Sequence, residues 1–394
     1  MRYKEDILQM LFKAYFDARK HKRNKQSQLL FELHLEDNIF NLYHDIVNKT
    51  YTPGTSICFV VNKPVKREIF AANFRDRVVH HFIFNILNPL VEKILLHDVY
   101  SCRKNKGTLF GIKRAYSKMQ SCSNNFKEKA FVLKLDIAGY FMNINKNLLF
   151  DKIEAIIDKN EMFLPIQSTL LKYLVSENIY HNPTKDCVFQ SHKSEWTNLP
   201  KNKSLFGTHQ NCGLPIGNLT SQLYGNLYLN EFDHFIKKEL GIKQYGRYVD
   251  DFYLMHTDKT ILVDAIEKIK LRLLHIDKLK LHPKKIYLQN IYNGFGFLGI
   301  YILPYRKYIG KRIKTGLYNA LAKINNGFFA LLQIELERLQ SYTSMLKHHN
   351  CFALQKQIDL LLEFALSKHK YSLLKLQNSS KVWKVESRKW KVES

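Results

Sequence analysis

The chain has 394 residues, 45% of them hydrophobic, enough to bury a sizeable core in two or three domains. Lys and Arg number 61 against 35 Asp and Glu, a formal charge of +26 that exceeds what solubility needs and points to a polyanion, either nucleic acid or an anionic membrane surface. No apolar run reaches the roughly 18 residues needed to span a bilayer, the start MRYKEDILQM has no secretory apolar segment, and six widely spaced cysteines read as reduced thiols of a cytoplasmic protein.

Residues 1–50 are predicted helical, with apolar stripes at Ile7, Leu8, Leu11, Phe12, Tyr15 and Phe16 and again across Leu29–Val47. The basic run at 19–25, RKHKRNK, is either a solvated helix end or a nucleic-acid contact. Thr52-Pro53-Gly54 stops the helical region. A strand at Ile57–Val61 then leads into a hairpin over Lys63–Ile69. The stretch FRDRVVHHFIFNILNPLVEKIL, 74–95, is dense enough in apolar residues to be a buried helix. Arg75 and Arg77 open it and either pair with Asp76 or Glu68 or grip a triphosphate or template backbone. A basic loop, SCRKNKG at 101–107, precedes a helix over 108–119.

Phe131–Ile137, FVLKLDI, alternates as a strand and ends at Asp136, a typical place for a ligand or metal group. Asp136 is too far from the next helix, expected over about 145–157, to cap it. Residues 181–210 lack periodicity and read as a long loop or small subdomain, either a surface excursion or a contact for RNA or protein. Cys187, His192, His209 and Cys212 can be drawn together as a zinc set, but at a spacing that matches no familiar knuckle. GLPIGNLTSQLYGNLYLN, 213–230, is a turn running into a helix, with Asn218, Thr220 and Ser221 in the first turn and Gln222 beside them. Small residues there let a ligand approach the backbone; a plain capped helix is the alternative.

QYGRYVDDFYLMH, 244–256, reads as two short strands with Asp250 and Asp251 as the tight turn between them. Adjacent anions repel, so the pair gains little unless a cation sits beside it; a solvated turn is the plain alternative. An amphipathic helix follows over Lys259–Leu274, then a hairpin built around glycines at 293–305. From Arg306 the tail is expected to be helical and basic, with 17 Lys and Arg against 6 Asp and Glu. If the strand ends at Asp136 and at 250–251 are neighbours, their carboxylates can hold two Mg²⁺ ions about 4 Å apart. The chain has no GxxxxGK[ST] loop, so this is not a P-loop site.

Six motifs in order resemble those of reverse transcriptases: KREI with FRDRVVHH (66–69, 74–81), KLDIAGYF (134–141), GLPIGNLTSQ (213–222), YVDD (248–251), LHPKK (281–285) and GFLGI (296–300). The resemblance implies an α+β right-hand polymerase, with fingers and a palm built on an antiparallel sheet flanked by helices, and a helical thumb. The expected divisions are a helical extension over 1–50, fingers over 51–130, a first palm part over 131–180, a loop or insertion over 181–212, a second palm part with primer grip over 213–304, and a basic helical thumb over 305–394.

The resemblance also implies roles. Asp136 and Asp250 are expected to be the main metal ligands, with Asp251 assisting and the carbonyl of Ile137 completing one shell. Mg²⁺ is the expected ion, Mn²⁺ its substitute. Phe141 is expected to stack under the deoxyribose and exclude a 2′-hydroxyl. Arg67, Arg75 and Arg77 lie in the region that grips triphosphate and template, and Ile216, Gly217 and Gln222 in the motif that receives the templating pair. Lys285 is expected to protonate pyrophosphate, and Phe297, Leu298 and Gly299 to hold the primer end.

GLPIGNLTSQ has Ile216 where glutamine is usual and Gln222 where proline is usual, and so resembles the diversity-generating retroelement subfamily. That implies error-prone cDNA synthesis at template adenines for mutagenic retrohoming, in a bacterial or phage setting. The implied partners are structured template RNA, a cDNA/RNA primer duplex, dNTPs and a small basic oligomeric accessory protein, with no membrane. A group II intron or retron enzyme, or an RNA-binding scaffold on an inactive palm, are the alternatives.

Overall fold

A computed structural model describes residues 2–20, 25–62, 65–325, 332–361 and 363. The described chain forms two compact units, 1–289 and 290–394.

The first unit opens with three helices, α1 (Arg2–Arg19), α2 (Gln26–Leu33) and α3 (Leu35–Val47). Most of the basic run at 19–25, and the Lys63-Pro64 tip of the expected hairpin, lie outside the described residues. That hairpin is β1 (Ser56–Val61) paired antiparallel with β2 (Arg67–Ala71), Val61 facing Arg67. Next comes α4 (Phe74–Ile94), started by Asn73, whose side chain accepts from the Asp76 amide at 2.9 Å. The helix continues through Pro89, and its faces carrying Val78, Val79, Phe82, Ile83 and Leu87 are buried.

After α5 (Thr108–Cys122) comes β3 (Phe131–Asp136), then a single turn, α6 (Tyr140–Asn143), then α7 (Lys146–Lys159) and α8 (Ser168–Tyr180). The 181–210 region is more ordered than a loop. It holds a short strand, β4 (Cys187–Phe189), and three short 3₁₀ turns at Lys193–Trp196, Lys201–Lys203 and Leu205–Gly207. β4 pairs parallel with the free edge of β1, making a three-stranded sheet in the order β2-β1-β4. α9 (Leu219–Tyr228) and α10 (Asn230–His234) lead to β5 (Gln244–Tyr248), β6 (Asp251–His256), α11 (Lys259–His275) and β7 (Tyr287–Asn290).

The central sheet runs β5-β6-β3-β7, with β3, β5 and β6 antiparallel to their neighbours among themselves. Phe252 to Met255 of β6 are buried in succession, so both faces of this strand are covered. α5 packs on β5 and α11 on β6. One hydrophobic core runs from Leu11 and Tyr15 of α1 through Val79 and Phe82 of α4 to Leu133 and Leu135 of β3 and Leu262 of α11. The class is the expected α+β, antiparallel sheets flanked by helices.

The second unit holds β8 (Phe295–Phe297), β9 (Ile300–Leu303), β10 (Arg306–Ile309), α12 (Lys311–Asn325) and α13 (Leu332–Lys347), with a further helical stretch over 352–361. The tail expected to be helical from Arg306 therefore begins with a strand, β10, paired with β9. Much of its remaining basic charge, over 364–394, lies outside the described residues.

Candidate active site

β3 and β6 are in register so that Asp136 faces Asp251 across the ladder, and Tyr248 of β5 faces Asp251 on the other side. The closing pair Tyr248–Asp251 leaves Val249 and Asp250 as the two loop residues. The turn is thus one residue earlier than the Asp250–Asp251 turn expected from sequence. Asp251 starts a strand, and only Asp250 stands at the tip.

Val249 has φ +60°, a left-handed conformation that a β-branched residue rarely adopts. Its neighbours hold it there. The Val249 amide donates to Ser101 Oγ at 3.3 Å, and Arg247 Nη1 donates to the Val249 carbonyl at 3.0 Å. Ile137 N donates to the Asp250 carbonyl at 3.2 Å, tying the turn to the end of β3. The Asp136 carbonyl accepts from His282 N at 2.8 Å, and Ile137 bridges to Leu281, so the LHPKK segment flanks the same strand end.

The carboxylates feel one another. Asp250 is pushed up to about 6, first by burial and then by the charge of Asp136, while Lys285 and Arg67 act in the opposite direction. Burial also pushes Asp251 up to about 6, against the pull of Lys134, whose Nζ stands 3.2 Å from Oδ1. That oxygen is buried and has no hydrogen bond of good geometry. Lys285 Nζ donates to Asp136 Oδ2 at 2.9 Å.

Among the described residues, no three His, Cys, Asp or Glu side chains close into a metal cage. Cys187 is a free thiol packed on the cluster that holds Cys58, and His192 Nδ1 hydrogen-bonds with Ser194 Oγ at 2.8 Å. Asp136 and Asp250 offer hard oxygens that a divalent cation would relieve of mutual repulsion. Two neighbouring carboxylates that no third such donor closes into a cage among the described residues would suit a catalytic ion shared with a substrate better than a closed structural one. The donor set therefore fits a hard divalent cation.

Phe141 stands on α6, five residues beyond Asp136. Its carbonyl accepts from Leu214 N at 2.8 Å, and its ring lies against Gly225 of α9, where an added Cβ would come within 3.2 Å of the ring. Ile216 is joined to the other sheet, its carbonyl accepting from Phe70 N at 2.9 Å. Gly217 has φ +126°, and a Cβ there would meet Ile69 and the Phe70 carbonyl at 2.9 Å, so this close approach requires glycine. Gln222 is exposed on α9.

The arginines separate. Arg67, exposed at the start of β2, is near enough to Asp250 to favour its charged form. Arg75 is engaged elsewhere: it pairs with Asp45 at 2.6 Å, donates to the Thr52 carbonyl at 3.2 Å, contacts Asp76 and lies over the Tyr51 ring. Arg77 Nε donates to the Ala72 carbonyl at 2.9 Å. Phe297, Leu298 and Gly299 form the tight turn between β8 and β9, with Leu298 and Gly299 both at positive φ.

Sequence reading passed over the group that supports the turn. Arg247 and Asp233 are both fully buried and paired through two contacts, at 2.5 and 2.7 Å. Arg247 Nη2 also donates to the Asn226 carbonyl, and Ser101 Oγ donates to Asn226 Oδ1 at 2.7 Å. The signal was an arginine inside an apolar strand, since a charge there needs a buried partner.

A family described as reverse transcriptase (RNA-dependent DNA polymerase) matches residues 62–302. The chain belongs to the reverse transcriptase family. The matched span runs from the loop after β1 to β9 and includes the aspartate strand ends, and the fold is that of this family's right-hand polymerases. No curated protein matches the chain. Among solved structures, it is similar to telomerase from Candida albicans in complex with a TWJ fragment of telomeric RNA, at 13% identity and TM-score 0.47 over 80% of this chain and 60% of that one. It is also similar to apo telomerase from Candida tropicalis, at 14% identity and TM-score 0.46 over 80% of this chain and 62% of that one. A form of the latter truncated from its C-terminal domain gives 14% and 0.45, over 65% and 55%. The chain spans less than two thirds of the length of these structures.

Proposed function

We propose that this reverse transcriptase family member is an RNA-directed DNA polymerase working by a two-metal nucleotidyl transfer. The observation that carries the reading is the ladder pairing of Asp136 with Asp251, which sets Asp250 beside Asp136 at one sheet end. Asp136 and Asp250, with the Ile137 carbonyl, are the groups that would hold magnesium, or manganese in its place. Bound there, the ions supply activation of a primer 3′-hydroxyl and charge for the leaving pyrophosphate. Asp251, turned toward Lys134, keeps the strand end in register.

We assign the other roles from the motifs. Lys285 is placed at Asp136 to give a proton to the leaving group and offset its charge. Arg67 is the arginine we assign to the triphosphate, because it is exposed and its charge reaches Asp250, while Arg75 is engaged by Asp45. Phe141 forms the floor under the sugar, and Ile216, Gly217 and Gln222 the side that receives the templating pair. Phe297 to Gly299 hold the primer end.

We further read the chain as the diversity-generating type. The support is Ile216 in place of glutamine and Gln222 in place of proline. A branched alkyl group makes no hydrogen bond and discriminates less by polar contact, which favours errors opposite adenine. The +26 charge supports a structured template RNA as partner, and a small basic oligomeric accessory protein completes the assembly. Primer extension on a structured template RNA containing adenines, with and without a candidate accessory protein, tests both levels. Mg²⁺-dependent cDNA with substitutions concentrated at template adenines is expected. Faithful cDNA would overturn the subtype, and no cDNA in either arm would overturn the activity.

A further inference from the structure

We infer that the segment from Cys187 to Gly207 is a wall of the nucleotide pocket that fixes where Phe141 and Ile216 stand, and so helps select the incoming nucleotide. The inference rests on the assignment of Phe141 and Ile216 to that pocket.

The anchor is Glu68 of β2. Its carboxylate is buried, with 1% exposure, and accepts three hydrogen bonds from the segment: Trp196 Nε1 at 2.7 Å, Ser204 Oγ at 2.8 Å and the Leu205 amide at 2.7 Å. Hydrogen bonds to an ionised acceptor away from water are among the stronger ones. They hold the 196–205 turn against β2 at a defined position. β4 adds a second attachment through its parallel pairing with β1.

The anchored segment presents Leu205 inward. Leu205 is buried with Cys58, Phe70 and Met142, and Phe141, Ile216, Trp196 and Cys187 pack on this small cluster. The segment also abuts the stretches that carry the two pocket residues. The Asn202 carbonyl lies 2.8 Å from where a Cβ on Gly139 would stand, just before α6 and Phe141. Leu205 Cδ1 lies 2.7 Å from where a Cβ on Gly213 would stand, three residues before Ile216. A surface excursion would have none of these contacts. Interiors are close-packed, so a change in Leu205 volume passes to the side chains resting on it.

Three variants test this: Leu205→Ala, Glu68→Gln, which replaces an acceptor oxygen with an amide donor facing donors, and the conservative Trp196→Phe. Val188→Ala, on the same segment but exposed, is the control. Single-nucleotide incorporation would be measured for the correct dNTP, the matching rNTP and a mismatched dNTP opposite adenine, together with the Kd for primer–template. The expected result is a change of about tenfold in the rNTP-to-dNTP or mismatch ratio for Leu205→Ala. Trp196→Phe should change it less and in the same direction, Val188→Ala not at all, and the primer–template Kd should hold in every case. Should Leu205→Ala fail to fold, Glu68→Gln and Trp196→Phe carry the comparison. Unmoved ratios in folded variants whose wild type incorporates nucleotides would overturn this inference alone. No template-dependent incorporation by the wild type would overturn the polymerase reading, and this inference with it.

Discussion

Arg247, with no exposed surface, donates through Nη1 to the carbonyl of Val249 at 3.0 Å, holding from beneath the residue that precedes the tip aspartate. The same guanidinium is fixed by Asp233, so the position of Asp250 depends on a buried ion pair one element away. The local backbone does not favour this turn, because Val249 must take a positive φ. The surroundings impose it, as is common where a side chain has to be presented at a set place.

Breaking that support should affect stability and chemistry separately. Arg247→Met leaves Asp233 buried without its partner and should cost about 3–5 kcal/mol, read as a fall in the urea midpoint. Ser101→Ala removes the hydroxyl that accepts from Val249 N and donates to Asn226 Oδ1, and should cost about 1–3 kcal/mol. Its kcat should drop while the primer–template Kd holds. A Ser101→Ala enzyme with unchanged kcat would mean that the turn keeps its shape without this contact.

Asp250 and Asp251, both raised to about 6, make stability depend on pH and metal. An unfolded aspartate titrates near 3.9. Between roughly pH 4 and 6 the folded chain therefore holds more protons than the unfolded one, so these two groups make stability fall as pH rises through that window. In metal-free buffer the Tm of wild type relative to Asp250→Asn should decline across it. Above about pH 7, millimolar Mg²⁺ should raise the wild-type Tm by a few degrees and leave the variant unmoved. Equal responses of the two proteins would place the cation elsewhere.

Phe141 lies against Gly225 of α9, where a Cβ would stand 3.2 Å from the ring, so the side chain occupies a closely bounded place. Phe141→Ala should therefore admit a 2′-hydroxyl, increasing rNTP incorporation relative to dNTP by about 10–100-fold, with dNTP incorporation retained. Competition between rNTP and dNTP on one template measures this directly. An unchanged ratio would remove Phe141 from the sugar site.

Ile216→Gln places an amide where the wild type has an alkyl group, next to the Phe70–Met142–Leu205 cluster. Misincorporation opposite template adenine should fall several-fold, about 1 kcal/mol of added discrimination. Sequenced cDNA with the wild-type error spectrum would separate this position from fidelity.

Much of this was legible in the chain. Alternation in FVLKLDI placed Asp136 at a strand end because one-residue slips would expose Leu133 and Leu135, both buried. The turn was misplaced by one residue because local preference disfavours valine at positive φ, and the contacts that override it, from Ser101 and Arg247, come from outside the motif. β4 was missed for a similar reason. Three residues carry no periodicity, and their pairing partner in β1 lies 131 residues earlier. Arg75 and Arg67 looked equivalent in sequence, and only the fold shows that Asp45 engages one of them.

The most direct test is Mg²⁺-dependent primer extension by Asp250→Asn beside the wild type, with RNA affinity measured on the same preparations. The substitution removes one negative charge from the Asp136–Asp250 pair and leaves the basic surface untouched. The account predicts that synthesis is abolished while the Kd for template RNA stays within about twofold. Synthesis at wild-type rate by Asp250→Asn would contradict it.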